Sequence, residues 1–304
     1  MPAIAAALLL AAALPQFHGS SGAQTAGESE VVTTTSDTHD RMTVPVRIGG
    51  SGPYNFVIDT GAQNTVISTW VARQRGLKAT SRATLIGVAG QQLVGLVELD
   101  GLTLGRRTFD GLTAPLLERE HIGADGIIGL DSLQGQRLLL DFKRNVMVVD
   151  EARNLGGNRN FDIVVRARKR SGQLILTNAR IDGVQVDVVV DTGADTSIGN
   201  RALQRALSRR HRGQALLQSV TGQEVMADVG LARSITFGGI EVPGVTLAYA
   251  DSPPFAHLGL DRKPAILLGM RDLRSFDRVA IDFASKRVLF DFEIKGPRSV
   301  HHIH

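Results

Sequence analysis

The stretch Phe56-Val-Ile-Asp-Thr-Gly-Ala-Gln-Asn-Thr-Val-Ile67 returns later in the chain as Val188-Val-Val-Asp-Thr-Gly-Ala-Asp-Thr-Ser-Ile198. Asp59 and Asp191 stand 132 residues apart, and the landmarks after them keep that spacing. Gly90 answers to Gly222 at 132, while Gly105 and Gly111 answer to Gly238 and Gly244 at 133. A tripeptide recurs by chance in a Gly-rich chain; a register held well beyond it does not, so the chain reads as two copies of one unit.

Further along, Gly126-Ile-Ile-Gly-Leu-Asp-Ser-Leu133 answers to Ala265-Ile-Leu-Leu-Gly-Met-Arg-Asp-Leu273, with Gly129 and Gly269 now 140 apart. A short insertion has entered the second copy, and it falls in the Pro-bearing stretch 251–264, which reads as a loop. Leu139-Leu-Asp-Phe142 and Ala280-Ile-Asp-Phe283 each precede a polar, basic turn and a second apolar run, so each half closes on a β-hairpin signal. Apolar runs in both copies are short, β-branched and bounded by Gly, Asn or Asp, which predicts strands. Helices are expected only at 69–75 and 201–210, after each Asp-Thr-Gly segment. The fold class is therefore mainly β, as two homologous β-barrel lobes over residues 41–152 and 160–296 with a site between them. The polar Gly and Asn stretch Glu151 to Asn160 reads as the link.

With 304 residues the chain can bury two apolar cores, and its 33 glycines against 5% aromatics favour tight turns over a helical bundle. The absence of cysteine excludes disulfides, a thiol nucleophile and thiolate metal ligation. A sequence pI of about 9.7 comes from clusters such as 166–170 and 205–212. With a net charge of only +4 and no interleaved aromatics, these read as solvated faces, and no nucleic-acid partner is expected. The apolar run at 4–14 is too short to span a bilayer and is followed by small and polar residues. It reads as a secretory signal, residues 1–23, with 24–40 a flexible linker or short pro-segment and no stable membrane anchor after signal removal. The expected location is thus periplasmic or secreted. The His-containing 297–304 segment reads as a tail, and His121 and His257 as surface residues without matching partners.

The chemistry is carried by the two aspartates. Each follows an apolar run and precedes Thr-Gly, which places a carboxylate where a buried strand turns into a loop. Two such carboxylates brought together cannot both ionise cheaply and hold one proton between them, the arrangement by which aspartic proteases in general supply both an acid and a base. Gly61 and Gly193 permit close backbone approach, and Thr60 and Thr192 offer hydroxyls to brace the two loops. Gly87-Val88-Ala89-Gly90 and Ser219-Val220-Thr221-Gly222 follow the two aspartates at equal spacing in hairpin patterns and are candidate flaps over a bound chain.

These motifs resemble the pepsin and retropepsin superfamily of aspartic peptidases, especially its bacterial retropepsin-like members. Asp-Thr-Gly-Ala followed by Thr or Ser, the hydrophobic-hydrophobic-Gly element, and the ensuing Asp-x-Leu or Arg-Asp-Leu occur once per half, across roughly 43–292. The resemblance implies an aspartic endopeptidase with Asp59 and Asp191 catalytic, Thr60 and Thr192 bracing them, a peptide or protein substrate extended beneath the flaps, and neither cofactor nor metal. Helix and loop lengths that differ between the halves favour lobe pairing within one chain, hence a monomer. Ala62 and Ala194 replace the serine common in pepsins, and loss of a hydroxyl donor is expected to leave the dyad pKa values higher, extending activity to less acidic pH. A pH-rate profile confined below about pH 3 contradicts that expectation. Tyr54 and Tyr249 lie outside the candidate flaps. The alternatives are a non-catalytic peptide-binding protein of the same fold and a chain whose lobes pair with a second copy.

Overall fold

The computed structural model describes residues 41–158, 161–207 and 211–292, with four strands of two or three residues before residue 41. Apart from those strands, the expected signal and the 24–40 segment lie outside the described residues, as does the 297–304 tail.

Strands dominate, as the short β-branched runs require. In Met42–Ile48 the side chains of Met42, Val44, Val46 and Ile48 are buried while Pro45 and Arg47 are exposed, the period-two pattern of a strand with one face on a core. Gly126–Ile128, Val66–Ser68 and Ala265–Leu268 are buried at every position, as strands covered on both faces must be.

In the N-terminal lobe the strand order runs Arg107–Phe109, Leu102–Leu104, Met42–Ile48, Ser51–Ile58, Gly126–Ile128, Val66–Ser68, Leu112–Leu117, Gly90–Leu99, Ser81–Gly87. The C-terminal lobe repeats the plan. Its order is His211–Ser219, Glu224–Phe237, Ile240–Tyr249, Ser197–Gly199, Ala265–Leu268, Val184–Val190, Gln173–Ile181, Arg168–Arg170. There Glu224–Phe237 also pairs with Gln173–Ile181, which closes the sheet on itself. In both lobes the strand entering Asp-Thr-Gly lies parallel to the hydrophobic-hydrophobic-Gly strand, Val57 beside Ile127 and Val189 beside Leu267.

The closing hairpins of the halves join. Arg137–Asp141 pairs antiparallel with Arg278–Asp282, Leu139 opposite Ala280, in a sheet flanked by Val146–Asp150, Arg287–Asp291 and Ile163–Arg166. This sheet ties the lobes together through backbone hydrogen bonds and a fully buried ion pair, Arg137 Nη2 to Asp282 Oδ2 at 2.7 Å. Such a pair fixes register more surely than it stabilises, since desolvation offsets much of its attraction.

The helices expected at 69–75 and 201–210 are found as Thr69–Gln74 and Arg201–Ala206, each capped by a side chain, Ser68 or Asn200. The stretch 251–264 is not simply a loop. It holds the helix Pro253–His257, because proline is tolerated in the first turn, where its missing N–H would have no partner anyway. Four-residue helices also stand at Arg119–Ile122, Leu130–Leu133 and Met270–Leu273. The 166–170 cluster lies at the surface, as expected of a solvated face, with its charged residues exposed.

Candidate active site

Asp59 and Asp191 meet at the junction of the lobes, and both are fully buried. Each backbone N–H is fixed by the neighbouring parallel strand, Asp59 N donating to Ile128 O and Asp191 N to Leu268 O, both at 3.0 Å. Past the aspartate the chain turns sharply. Gly61 and Ala62 N–H groups then point back at Asp59 Oδ1, at 2.7 and 3.0 Å, and Gly193 and Ala194 point at Asp191 Oδ1, at 3.0 and 3.1 Å. One oxygen of each carboxyl is thus saturated by backbone donors. The other, Oδ2, is buried and receives no donor in either residue. The two side chains lie within hydrogen-bond reach of each other, an acceptor facing an acceptor until one proton enters between them.

Burial pushes the pKa of Asp59 up to about 7, opposed by the amides of Gly61 and Ala62 and by the Arg41 guanidinium. Asp191 is driven well above the usual carboxylate range by burial first, then by the charge of Asp59. The pair therefore titrates as a unit that keeps one proton into near-neutral conditions.

Thr60 and Thr192 lock the two loops by a reciprocal set of bonds. Thr60 N donates to Thr192 Oγ1 at 3.0 Å and Thr192 N to Thr60 Oγ1 at 3.2 Å, while each hydroxyl donates at 2.7 Å across the axis, to Val190 O and Ile58 O. Thr192→Val keeps the shape and leaves Thr60 N–H and Ile58 C=O buried without partners. The expected cost is about 2–4 kcal/mol of unfolding free energy, measured in denaturant, with Thr192→Ser close to wild type. Equal stability of the Val and Ser variants would show that the brace contributes nothing.

Beneath each loop sits an acid whose role its motif did not disclose, Asp272 buried and Asp131 exposed at the edge of its helix. Asp131 accepts from Thr65 N at 2.9 Å and Thr65 Oγ1 at 2.7 Å; in the second copy Ser197 Oγ donates to Asp272. Burial raises Asp272 above the ordinary range. Gly129 N and Gly269 N complete the match by donating to Thr65 Oγ1 and Ser197 Oγ. A Cβ on Gly129 would stand 2.5 Å from Asn64 O, so the glycine gives the clearance expected of a strand packed under the loop.

The aspartyl protease family profile matches residues 44–132 and 177–271, one match in each lobe and together more than half of the chain. This chain belongs to the aspartyl protease family. No curated protein gives a significant match to it.

The flap candidates of this family member meet each other across the lobe junction. Val88 and Ala89 form a two-residue turn between Gly87 and Gly90, and Val88 is fully buried. Val88 packs with Ile86 into a C-lobe cluster that includes Ile198, Leu217 and Phe255, and Val88 O accepts from Ser252 Oγ at 2.9 Å. Reciprocally, Val220 packs into an N-lobe cluster with Val57, Ala62 and Ile122. Thr221 is buried beside Ser219, and a Cβ on Gly87 would collide with Ser219 Oγ. Gln223 Nε2 joins the tips by donating to Gln91 O at 3.1 Å. The insertion in the second copy has a purpose here, since its helix supplies Phe255 and Ser252 to the first flap.

His121 is not a surface residue without a partner. Its ring lies against Gly222 of the second flap, where a Cβ would strike it, and Gly222 holds a left-handed backbone at φ +78°. His257 is exposed, as expected. Tyr54 packs edge-on to Trp70, and Tyr249 lies in Ile240–Tyr249 against Gly199, both away from the flap tips.

Proposed function

We propose that the protein is an exported aspartic endopeptidase acting as a monomer, in which the Asp59–Asp191 pair activates a water against a peptide carbonyl. The observation that carries this reading is the pair of buried Oδ2 atoms without donors, on carboxyls held together by the threonine brace and with pKa values raised by burial. A dyad with one proton offers a base and an acid at the same reacting centre. The ionised member takes a proton from water as its oxygen bonds to the carbonyl carbon, and the protonated member gives its proton to the carbonyl oxygen. In the second step the acid formed from water's proton protonates the peptide nitrogen and the C–N bond breaks. The proton on the second hydroxyl returns to the other aspartate, restoring a singly protonated pair.

The closed flaps suit a substrate in extended form. An extended segment presents alternate side chains to the two lobes and its backbone to the hairpin tips, once Val88 and Val220 are lifted. Neither flap carries a charge at its tip, which favours apolar residues beside the scissile bond.

The test is cleavage-site profiling of purified protein on a peptide library, with and without the transition-state mimic pepstatin. The expected result is inhibitable cleavage that extends to near-neutral pH, because Ala62 and Ala194 add no hydroxyl donor to the carboxylates and burial dominates. Peptide binding without any cleavage dependent on Asp59 and Asp191 would establish the non-catalytic alternative.

A further inference from the structure

The two halves differ at one buried position whose side chain, in each copy, reaches the catalytic loop of the other. Arg41, directly before the strand Met42–Ile48, is buried to 1% exposure. Its Nη1 donates to Gly193 O at 3.5 Å and its Nη2 to Ile122 O. Exactly one repeat spacing later, 132 residues on, stands Gln173, fully buried, whose Nε2 donates to Gly61 O at 2.6 Å. Each side chain therefore reaches across the lobe junction to the carbonyl of the opposite Asp-Thr-Gly glycine. The clasp is symmetric in geometry and asymmetric in charge.

That asymmetry falls on the dyad. Gly193, which accepts from Arg41, is packed so tightly on the Asp59 carboxyl that a Cβ there would lie within 2.5 Å of Asp59 Oδ1. The charged or titratable groups facing Asp59 are Arg41 from its own lobe and Asp191 from the other, and the charge acting on Asp191 is that of Asp59. Asp131 and Asp272, on the helices packed beneath the loops, are turned to Thr65 and Ser197, and His121 to Gly222. A cation in a water-poor site favours the ionised form of the nearer carboxyl. Glutamine at the matching place exerts no such preference.

We infer that Arg41 is a positioning residue that breaks the symmetry of the dyad, holding Asp59 as the ionised member, the base toward water, and leaving the proton on Asp191. This rests on the endopeptidase reading and deepens it by assigning the two roles. Gln173 supplies the same backbone clasp without charge, so Arg41→Gln is the natural probe: it retains a side chain of the type that reaches the glycine carbonyl in the other half and removes the cation, together with the bond to Ile122 O.

The experiment is carboxyl-carbon NMR titration of protein labelled at aspartate Cγ, with resonances assigned through Asp59→Asn and Asp191→Asn. It needs no turnover, so it remains decisive even where no peptide is cleaved, an outcome that would count against the endopeptidase reading alone. In the wild type Asp59 should ionise first. Arg41→Gln should raise the Asp59 midpoint by about one pH unit or more and bring the two midpoints together, while Arg41→Lys keeps the wild-type order. Where a cleaved peptide is in hand, the acidic limb of the pH-rate profile should move upward by the same amount in Arg41→Gln and stay in place in Gln173→Ala, which loses a clasp but no charge. Wild-type protein in which Asp191 ionises first, or an Arg41→Gln variant with unmoved midpoints, overturns the inference. Should Arg41→Gln fail to fold, the wild-type order and the Arg41→Lys titration decide it by the same criteria.

Discussion

Asp59→Asn and Asp191→Asn should each reduce peptide cleavage by about 10⁴-fold or more while leaving the protein folded and harder to unfold at neutral pH. The loss follows from the shared proton: an amide at either position cannot exchange it, so both the base and the acid of the proposed reaction disappear together. The gain in stability follows from burial. Asp59 carries a folded-state pKa of about 7 against the ordinary 3.8. Between those values the folded chain binds more protons than the unfolded one, so the wild type loses stability as pH rises through that window. Below 3.8 the stabilising protonation is complete in both states, and above about 7 the penalty of the buried charge is fully present. Asparagine does not titrate. The variant's advantage over wild type should therefore grow between about pH 4 and pH 7, reaching a few kcal/mol, as read from denaturant unfolding at several pH values. A variant that turns over at the wild-type rate would remove the dyad from the mechanism. A wild type whose stability is flat across that window would mean the carboxyls are not desolvated together.

How far the sequence disclosed this site depended on what the repeat preserves. Asp59, Thr60 and Gly61 were legible because Asp191, Thr192 and Gly193 repeat them in the same apolar context, and the same holds for Gly129 and Gly269. The flap tips were legible by spacing alone, although nothing in Val88 or Val220 revealed that each lodges in the other lobe's core. Arg41 and Gln173 escaped notice for the converse reason. They occupy matched positions with different residue types, so a search for identity passes over them. Only a search for buried positions at the repeat spacing would have found them. Asp131 and Asp272 were visible as motif letters, but a carboxylate that braces a hydroxyl looks no different in sequence from one that is solvated. The helix Pro253–His257 and the four-residue helices are too short to show a 3.6-residue period, and proline argued for a loop. His121 became informative only when the fold brought a glycine from the other lobe against its ring.

Gly193→Ala should cost about 100-fold or more in kcat/KM, out of proportion to its effect on folding. A methyl group there would be within 2.5 Å of Asp59 Oδ1 and nearer still to Cγ and Oδ2, and real Cβ atoms do not approach so closely. The carboxyl cannot simply withdraw, because Gly61 and Ala62 hold its Oδ1 from behind. The strain must be relieved by turning Asp59 out of its amide cradle or by opening the Thr60–Thr192 brace. Either movement parts the two Oδ2 atoms that have to share a proton, and displacement of a reacting group by about 1 Å is enough for a loss of that size. Overpacking by one methyl costs the fold only about 1–3 kcal/mol. Gly129→Ala serves as the comparison, since its Cβ would press on the Asn64 backbone and not on a carboxyl. It should lose comparable stability, by thermal melting, with a far smaller loss of turnover at temperatures where both variants are folded. Activity of Gly193→Ala within a few-fold of wild type would mean that the dyad tolerates separation, and with it the shared proton would no longer account for catalysis.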